Sequence, residues 1–244
     1  MKVLLIGDSC EDRYFYGDVK RLNPEAPVPI LEYKRGVTSK GMVLNVRENL
    51  RAFGVEVYLS THPEEIIKTR YIDEKSNQQI MRYDIEPKIE PLSFDFPEKW
   101  NSEYDALVIS DYDKGFLTTE KIFELTSRFV GPVFIDSKKT NLPADAYIKV
   151  NELEYEKMSY CNYENLIITR GGEGAEYKGD LYPAEKVNVF DVVGAGDTFL
   201  AALTYGYLKY GRIDKAIPLA NKAAAVAVSH RGTYVLTKED VRQF

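Results

Sequence analysis

Val3-Leu4-Leu5-Ile6-Gly7-Asp8, near the start of this 244-residue chain, is the stretch whose reading decides the fold. Four apolar residues closed by Gly-Asp are too few for a helix. Their unbroken hydrophobicity suits a strand buried on both faces, as in a parallel sheet. Runs of the same kind recur at residues 106–109, 133–135, 147–150 and 166–169, each ending in polar or Gly-rich residues. Helix-like stretches lie between several of them. One covers residues 119–129, with Thr118 or Thr119 as its N-cap, and another covers 152–158. Strand and helix in alternation predict an α/β fold with a doubly wound, mostly parallel sheet flanked by helices. Ligands bind such sheets beyond the carboxyl ends of the strands, which is where Asp8, Asp111, Asp136 and Asn151 fall.

Two regions depart from that alternation. Residues 13–34 combine aromatics, prolines and an alternating tail, which suits extended edge strands. Residues 68–86 read as a hairpin with a polar turn near Glu74 to Asn77. Together they predict a small β-sheet lid over the active site. The last third is helical, from about 196 to 208 and from about 213 to 229. The length suits a single domain over residues 1–244 with this lid as its appendage.

The formal net charge of −6 argues against nucleic-acid binding, which rests on clustered Lys and Arg. Cys10 and Cys161 are too few for a disulfide framework or a cysteine-rich zinc site and read as incidental thiols. The first apolar run is too short for a signal sequence, and no span reaches membrane length. A soluble cytoplasmic protein is expected. His62 and His230 show no spacing for metal binding or for a nucleophile–base pair.

The chemistry concentrates in Asp191-Val-Val-Gly-Ala-Gly-Asp-Thr-Phe199, directly before an amphipathic helix. Small residues let backbone N–H groups converge on one point, and the helix N-terminus adds positive potential, so an anion should bind there. A carboxylate one turn into that helix, Asp197, can accept a proton from a substrate hydroxyl. The alternative is an ordinary Gly-rich turn with Asp197 complementing the helix dipole. The context adds Thr169-Arg170-Gly171-Gly172-Glu173-Gly174, a second strand-to-Gly turn, and Asn221 in a later Ala-rich helix.

With these pieces in order, the sequence resembles the ribokinase-like, or PfkB-type, carbohydrate kinases. Their D-T-x-G-A-G-D signature is matched with Val192 in place of Thr. Further blocks run from Gly7 to Gly17, Pro24 to Pro29, Asn77 to Asp84 and Ser110 to Gly115. These are similar to the kinase domain of the bacterial heptose 7-phosphate kinases of ADP-heptose synthesis. The resemblance implies an ATP-dependent sugar kinase, with Asp197 as catalytic base and the backbone of Gly194, Ala195 and Gly196 as anion hole. It implies that Glu154, in Asn151-Glu-Leu-Glu154, organises Mg²⁺ and that Asn151 lies near the nucleotide phosphates. Lys138 would sit beside those phosphates, Thr169, Gly171 and Gly174 along the nucleotide, and Asn221 near the adenine. A monovalent cation such as K⁺ is expected near Asp191, Val193 and residues 231–234.

For the sugar, the resemblance points to Asp8, Asp12 and Asn45. Carboxylates suit polyols because each accepts several hydrogen bonds. Arg13, Arg70, Arg82 and Lys114, on the lid or its rim, are candidates to hold a phosphate already on the substrate, and Asp111 joins the substrate side. A homodimer through the lid is the expected assembly, with a small-molecule sugar or sugar phosphate as partner and neither nucleic acid nor membrane.

Two departures touch the sugar side. The family's G-G-x-x-N appears as Gly41-Met42-Val43-Leu44-Asn45, and Met42 is expected to narrow or reshape the pocket. The chain also passes from Thr61-His-Pro-Glu-Glu65 straight to the lid hairpin, where the family has a further helix and strand. Three readings stay open. One is a heptose 7-phosphate kinase acting at the anomeric hydroxyl, and another is a kinase for a different sugar or nucleoside. The third is a non-catalytic sugar- or nucleotide-binding module.

Overall fold

Alternation along the first strand sets the layers. In the computed structural model, which describes residues 1–93, 100–158 and 164–244, β1 (Lys2–Gly7) is buried from Val3 onward. Val3 and Leu5 enter one apolar cluster, and Leu4 and Ile6 enter another. A strand that feeds two clusters has a covered layer on each side.

After β1 the chain forms β2 (Ser9–Leu22), β3 (Pro29–Met42), α1 (Val43–Ala52), β4 (Glu56–Ser60), β5 (Ile67–Asp73) and β6 (Gln78–Ile85). Next come β7 (Ala106–Asp111), α2 (Thr119–Arg128), β8 (Val133–Ser137), β9 (Tyr147–Asn151), α3 (Glu152–Lys157) and β10 (Leu166–Thr169). The chain then runs through β11 (Gly174–Tyr177), β12 (Asp180–Pro183), α4 (Ala195–Tyr210), α5 (Ile213–Val228) and α6 (Lys238–Val241).

The large sheet has the order β12-β11-β10-β9-β8-β7-β1-β4. Its pairs from β4 to β10 are parallel, and β11 and β12 are antiparallel additions at one edge. Residues of α1, α4 and α5 line the first apolar cluster, and Ile122 and Leu125 of α2 line the second. This is the doubly wound, mostly parallel α/β arrangement that the sequence predicts. The order changes direction between β1 and β7, so the crevice beyond their carboxyl ends opens beside Asp8 and Asp111.

Local chemistry fixes the helix starts. Thr118 Oγ1 accepts from Lys121 N at 3.2 Å to cap α2. Asn151 and Glu154 form a reciprocal capping box on α3, with both bonds at 2.9 Å. Asn151 therefore ends a strand and starts a helix at once.

The second sheet has the order β3-β2-β5-β6. It is larger than the sequence predicts, because β2 begins at Ser9 and β3 continues to Met42. Residues 34–40 of β3 are polar and mostly exposed on both faces, so they carry no period-two signal. The β11–β12 hairpin was also not evident from the sequence. Its two-residue turn, Lys178-Gly179, has φ of +53° and +84°, which matches a strand-compatible type I′ turn. Cys10 is buried, and Cys161 lies outside the described residues. No described helix is long and apolar enough to cross a membrane.

Candidate active site

Asp197 stands in the first turn of α4 and is only 3% exposed. Its Oδ1 accepts from the Tyr112 hydroxyl at 2.8 Å, and its Oδ2 accepts from Asn45 Nδ2 at 3.2 Å. Burial pushes the Asp197 carboxyl up to about 6, against the lowering effect of those two donors. Gly194 caps the helix at φ +78°, and a Cβ there would stand 2.7 Å from Asn45 Nδ2. The glycine thus admits the amide that holds the carboxylate. The Tyr112 phenol is raised in turn, by burial and then by the Asp197 charge beside it.

Behind that turn lies a second buried pair. Lys149 Nζ donates to Asp136 Oδ2 at 2.6 Å. Burial opposes the ammonium charge, but Asp136, Glu154 and Asp197 outweigh it and hold the group above its ordinary value. At the end of β9, Glu154 Oε2 accepts from Asn151 N at 2.9 Å, while Oε1 pairs with Lys138. Burial opposes ionisation there as well, yet Lys138 and the Asn151 N–H keep Glu154 below its usual range.

Of these residues Lys149 and Asn151, with Ala195 and Gly196 beside Asp197, border a cavity of about 660 Å³, which is of nucleotide-binding size. One wall is the Gly171–Gly174 turn with Thr169 and Asn151, and another is the first turn of α4. Asn221, Ala225 and Val228 on α5, with Val187 and Val189, supply a more apolar lining. Among the described residues, no group of three His, Cys, Asp or Glu side chains converges as a metal cage.

The other side of Asp197 faces the small sheet. Asp12 is buried and accepts from Arg70 Nη1 at 2.6 Å. Arg70 lies opposite Arg82 in the β5–β6 register, so the two share a face with Asp12. Arg82 is bonded to Asp84, and Lys114 to Glu86. Asp8 Oδ2 accepts from Tyr112 N and Lys114 N, at 2.8 and 3.2 Å, and ties that turn to β1. Burial raises the Asp8 carboxyl, with the Lys114 N–H opposing it. Asp111 bonds Ser137 Oγ, Lys139 Nζ and Asp113 N.

Comparison with known proteins bears on this arrangement directly. Residues 135–240, which carry the Asp136–Lys149 pair, the capping box and the start of α4, match the family model described as pfkB family carbohydrate kinase. The bifunctional protein HldE of a Nitratiruptor species is 30% identical over 298 residues, covering 100% of this chain and 64% of that protein. The part of the chain that holds this site thus resembles the pfkB carbohydrate kinases.

A second HldE, from Pasteurella multocida, is 30% identical over 292 residues, covering 95% of this chain and 61% of that protein. The chain thus spans less than two thirds of the length of these relatives. Among solved structures, Thermotoga maritima ribokinase aligns with a TM-score of 0.71 at 16% identity, covering 99% of this chain and 98% of that one. Escherichia coli phosphofructokinase-2 in complex with potassium aligns at 0.73 and 16%, covering 99% and 96%. At such identities the structures establish the shared fold.

Within this site, several expected residues sit differently from their expected roles. Arg13 lies on the face of β2 opposite Asp12 and pairs with Glu11, so the four basic residues do not form one cluster. A one-residue offset in a strand reverses the face. Met42 does not project into the pocket. Its backbone keeps a glycine-like φ of +56°, and its side chain packs with Leu4, Ile6 and Ile66. Asn45 is fully buried, and its amide is engaged with Gly194 and Asp197.

Asn221 Nδ2 donates to the carbonyls of Tyr182 and Pro183 at 2.7 and 3.3 Å, and the residue still borders the cavity. Asp191 draws Val193 N and Gly232 N together, both at 3.0 Å. Two residues were not singled out from the sequence. Tyr112 is in the quoted Ser110–Gly115 block, and Lys149 interrupts the apolar run Ile148–Val150.

Proposed function

We propose that this kinase transfers the γ-phosphoryl group of ATP to a hydroxyl of a sugar or sugar phosphate, with heptose 7-phosphate at its anomeric position as the favoured acceptor. The observation that carries the reading is the buried Asp197 carboxylate, fixed through both oxygens and adjoining Gly196, which borders a nucleotide-sized cavity. The kinship with HldE proteins supports the heptose acceptor.

In this reading Asp197 takes the acceptor's proton. The N–H groups of Gly194, Ala195 and Gly196 hold negative charge on the phosphoryl oxygens. Tyr112 and Asn45 keep the carboxylate aimed, and burial keeps competing water away from it. Asn151, Thr169, Gly171, Gly174 and Asn221 line the nucleotide, and Lys138 approaches its phosphates. Asp8, Asp12 and Arg70 face the acceptor, with Arg70 and Arg82 on the side where a substrate phosphate would sit.

Glu154 fits a role toward Mg²⁺. It is an ionised carboxylate next to Asn151, and an ion that retains its waters needs few protein ligands. When bound, Mg²⁺ supplies charge neutralisation across the β- and γ-phosphates. The Asp191–Gly232 contact fits a K⁺ site beside the anion hole.

The outward face of the small sheet carries Phe15, Tyr71, Met81, Tyr83 and Tyr33, the last 66% exposed. This face suits a homodimer through the lids, because an exposed aromatic sheet face needs cover. Light scattering that found a monomer at high concentration would count against the dimer. The kinase reading is tested by ADP release with a panel of sugars and sugar phosphates, followed by identification of the phosphorylated position. Normal nucleotide binding with no ADP release for any acceptor would replace it with a binding module.

A further inference from the structure

Lys149 has no role in that scheme, yet it places a buried charge against the start of α4. Its side chain is on a strand between Ile148 and Val150 and is only 5% exposed. A buried ion pair is rarely a stabilising choice, since apolar residues of similar volume often serve the fold as well. Its retention calls for another cause, and its position supplies one.

The ammonium lies 2.6 Å from Asp136 Oδ2 and 2.9 Å from where a Cβ on Gly196 would stand. It therefore rests directly against the first turn of α4, in the space a side chain would otherwise fill. That helix end is itself positive, so an ammonium there is placed against the dipole. Asp136 is the only carboxylate bonded to Lys149 among the described residues. Among the described residues one ammonium donor is taken by Asp136, while Glu154 and Asp197 add charge from farther away, so donors remain that an anion at this helix end can take. Alternation along β9 also sets Lys149 on the same face as Asn151, and both border the cavity.

We propose that Lys149 is a catalytic residue, whose ammonium contacts the transferred phosphoryl group at the first turn of α4 while Asp136 holds it in place. This assignment rests on the ATP-dependent kinase reading above. In the reaction, a bond forms between the acceptor oxygen and phosphorus, and the bond from phosphorus to the bridging oxygen of the nucleotide breaks. The acceptor proton goes to Asp197. Lys149 keeps its proton throughout and supplies charge alone, strongest as negative charge spreads over the phosphoryl oxygens.

Three full-length chains test this assignment: wild type, Lys149→Met, and the double variant Lys149→Met/Asp136→Asn. The single variant is expected to lose about 10²–10³-fold in kcat, and also some melting temperature, because Asp136 is left unpaired. The double variant should regain the melting temperature and stay impaired in kcat. Recovery of wild-type turnover in the double variant would show a purely structural pair and overturn the proposal.

Calorimetry with ADP and with the non-hydrolysable β,γ-imido triphosphate gives a readout that needs no turnover. Lys149→Met should weaken the triphosphate analogue about tenfold, consistent with the loss of one charged hydrogen bond, and change ADP less than twofold. Equal losses for the two nucleotides, or no loss for either, would overturn the assignment alone. A wild-type chain that bound neither nucleotide would remove the kinase reading as well.

Discussion

The two sides of Asp197 are built by different means. On the cavity side, position is set by backbone and by buried groups: the Gly194 cap, the Asn45 clamp, the Lys149–Asp136 pair and the Asn151–Glu154 capping box. On the small-sheet side, position is set largely by charged side chains. Arg13–Glu11, Arg82–Asp84 and Lys114–Glu86 are partly exposed pairs, and such pairs are worth about 0–1 kcal/mol each. Asp12–Arg70 is the buried exception. Groups fixed by the main chain cannot be moved without moving the fold, whereas exposed pairs can be exchanged one at a time. In the proposed reaction, the cavity side is therefore the conservative part of this molecule and the small-sheet side the adjustable part.

The sharpest way to break that contrast is at Asp197. Asp197→Asn should lower turnover by about 10²–10⁴-fold while nucleotide affinity measured by calorimetry is preserved. A variant with near-normal turnover would remove the base from the scheme. The next effect is its pH dependence. With the carboxyl raised to about 6, the base protonates below that pH, and kcat/KM should fall about tenfold for each pH unit further down.

Stability should move in the opposite sense. The folded value lies above the unfolded 3.8, so between the two the folded chain binds more protons, and stability falls as pH rises through that window. Asp197→Asn should then melt above wild type at pH 8, with the gain shrinking toward pH 4 in thermal scans. An unchanged melting difference across that range would show that Asp197 is not the strained group.

On the acceptor side the effects should be smaller and should differ by face. Arg70→Ala is expected to raise KM for a phosphorylated acceptor about tenfold, in keeping with one charged hydrogen bond. Arg13→Ala, on the opposite face, should change it by less than twofold. Equal effects in steady-state kinetics would erase the distinction between the faces.

The smallest effect is expected at Met42. A non-glycine residue at its φ of +56° and ψ of −134° costs about 1–3 kcal/mol, while burying its side chain contributes a similar amount. Met42→Gly should shift unfolding free energy by no more than about 1 kcal/mol in denaturant titration, because the two terms oppose. A much larger loss would mean that packing dominates there.

The layers of the large sheet were legible in the sequence because strands buried on both faces leave unbroken apolar runs, as at Val3 to Ile6. Asp197 stood out as a carboxylate at a Gly-rich helix start, whereas Asn151 was marked only by its place at a strand end, and it and Glu154 gained roles only through the resemblance to the kinase family. Tyr112 and Lys149 were not singled out. Tyr112 meets Asp197 across 85 positions of chain, and no local pattern records such a contact. Lys149 did leave a trace, as a charge at a position where neighbours on both sides are fully buried. Arg13 was grouped with Arg70 because proximity in sequence to Asp12 is blind to which face a strand residue takes. Met42 was expected in the pocket because its backbone conformation, retained from a glycine role, does not reveal where the side chain turns.

One connection in the fold has mechanical meaning. Only Asp8 separates β1 from β2, and β3 passes into α1 at Met42–Val43 without a loop, with Val43 N bonded to Asp8 O at 3.0 Å. The small sheet is thus mounted on a two-point pivot rather than on slack chain. Its 14-residue strands reach about 46 Å at about 3.3 Å per residue. On such a lever, a rotation of about 5° at the pivot carries the far tip about 4 Å. The residues nearest the fulcrum, including Asp12 at about 13 Å along the strand, travel only about 1 Å. Any such rotation would leave the groups beside Asp197 nearly still and move the distal edge of the small sheet most.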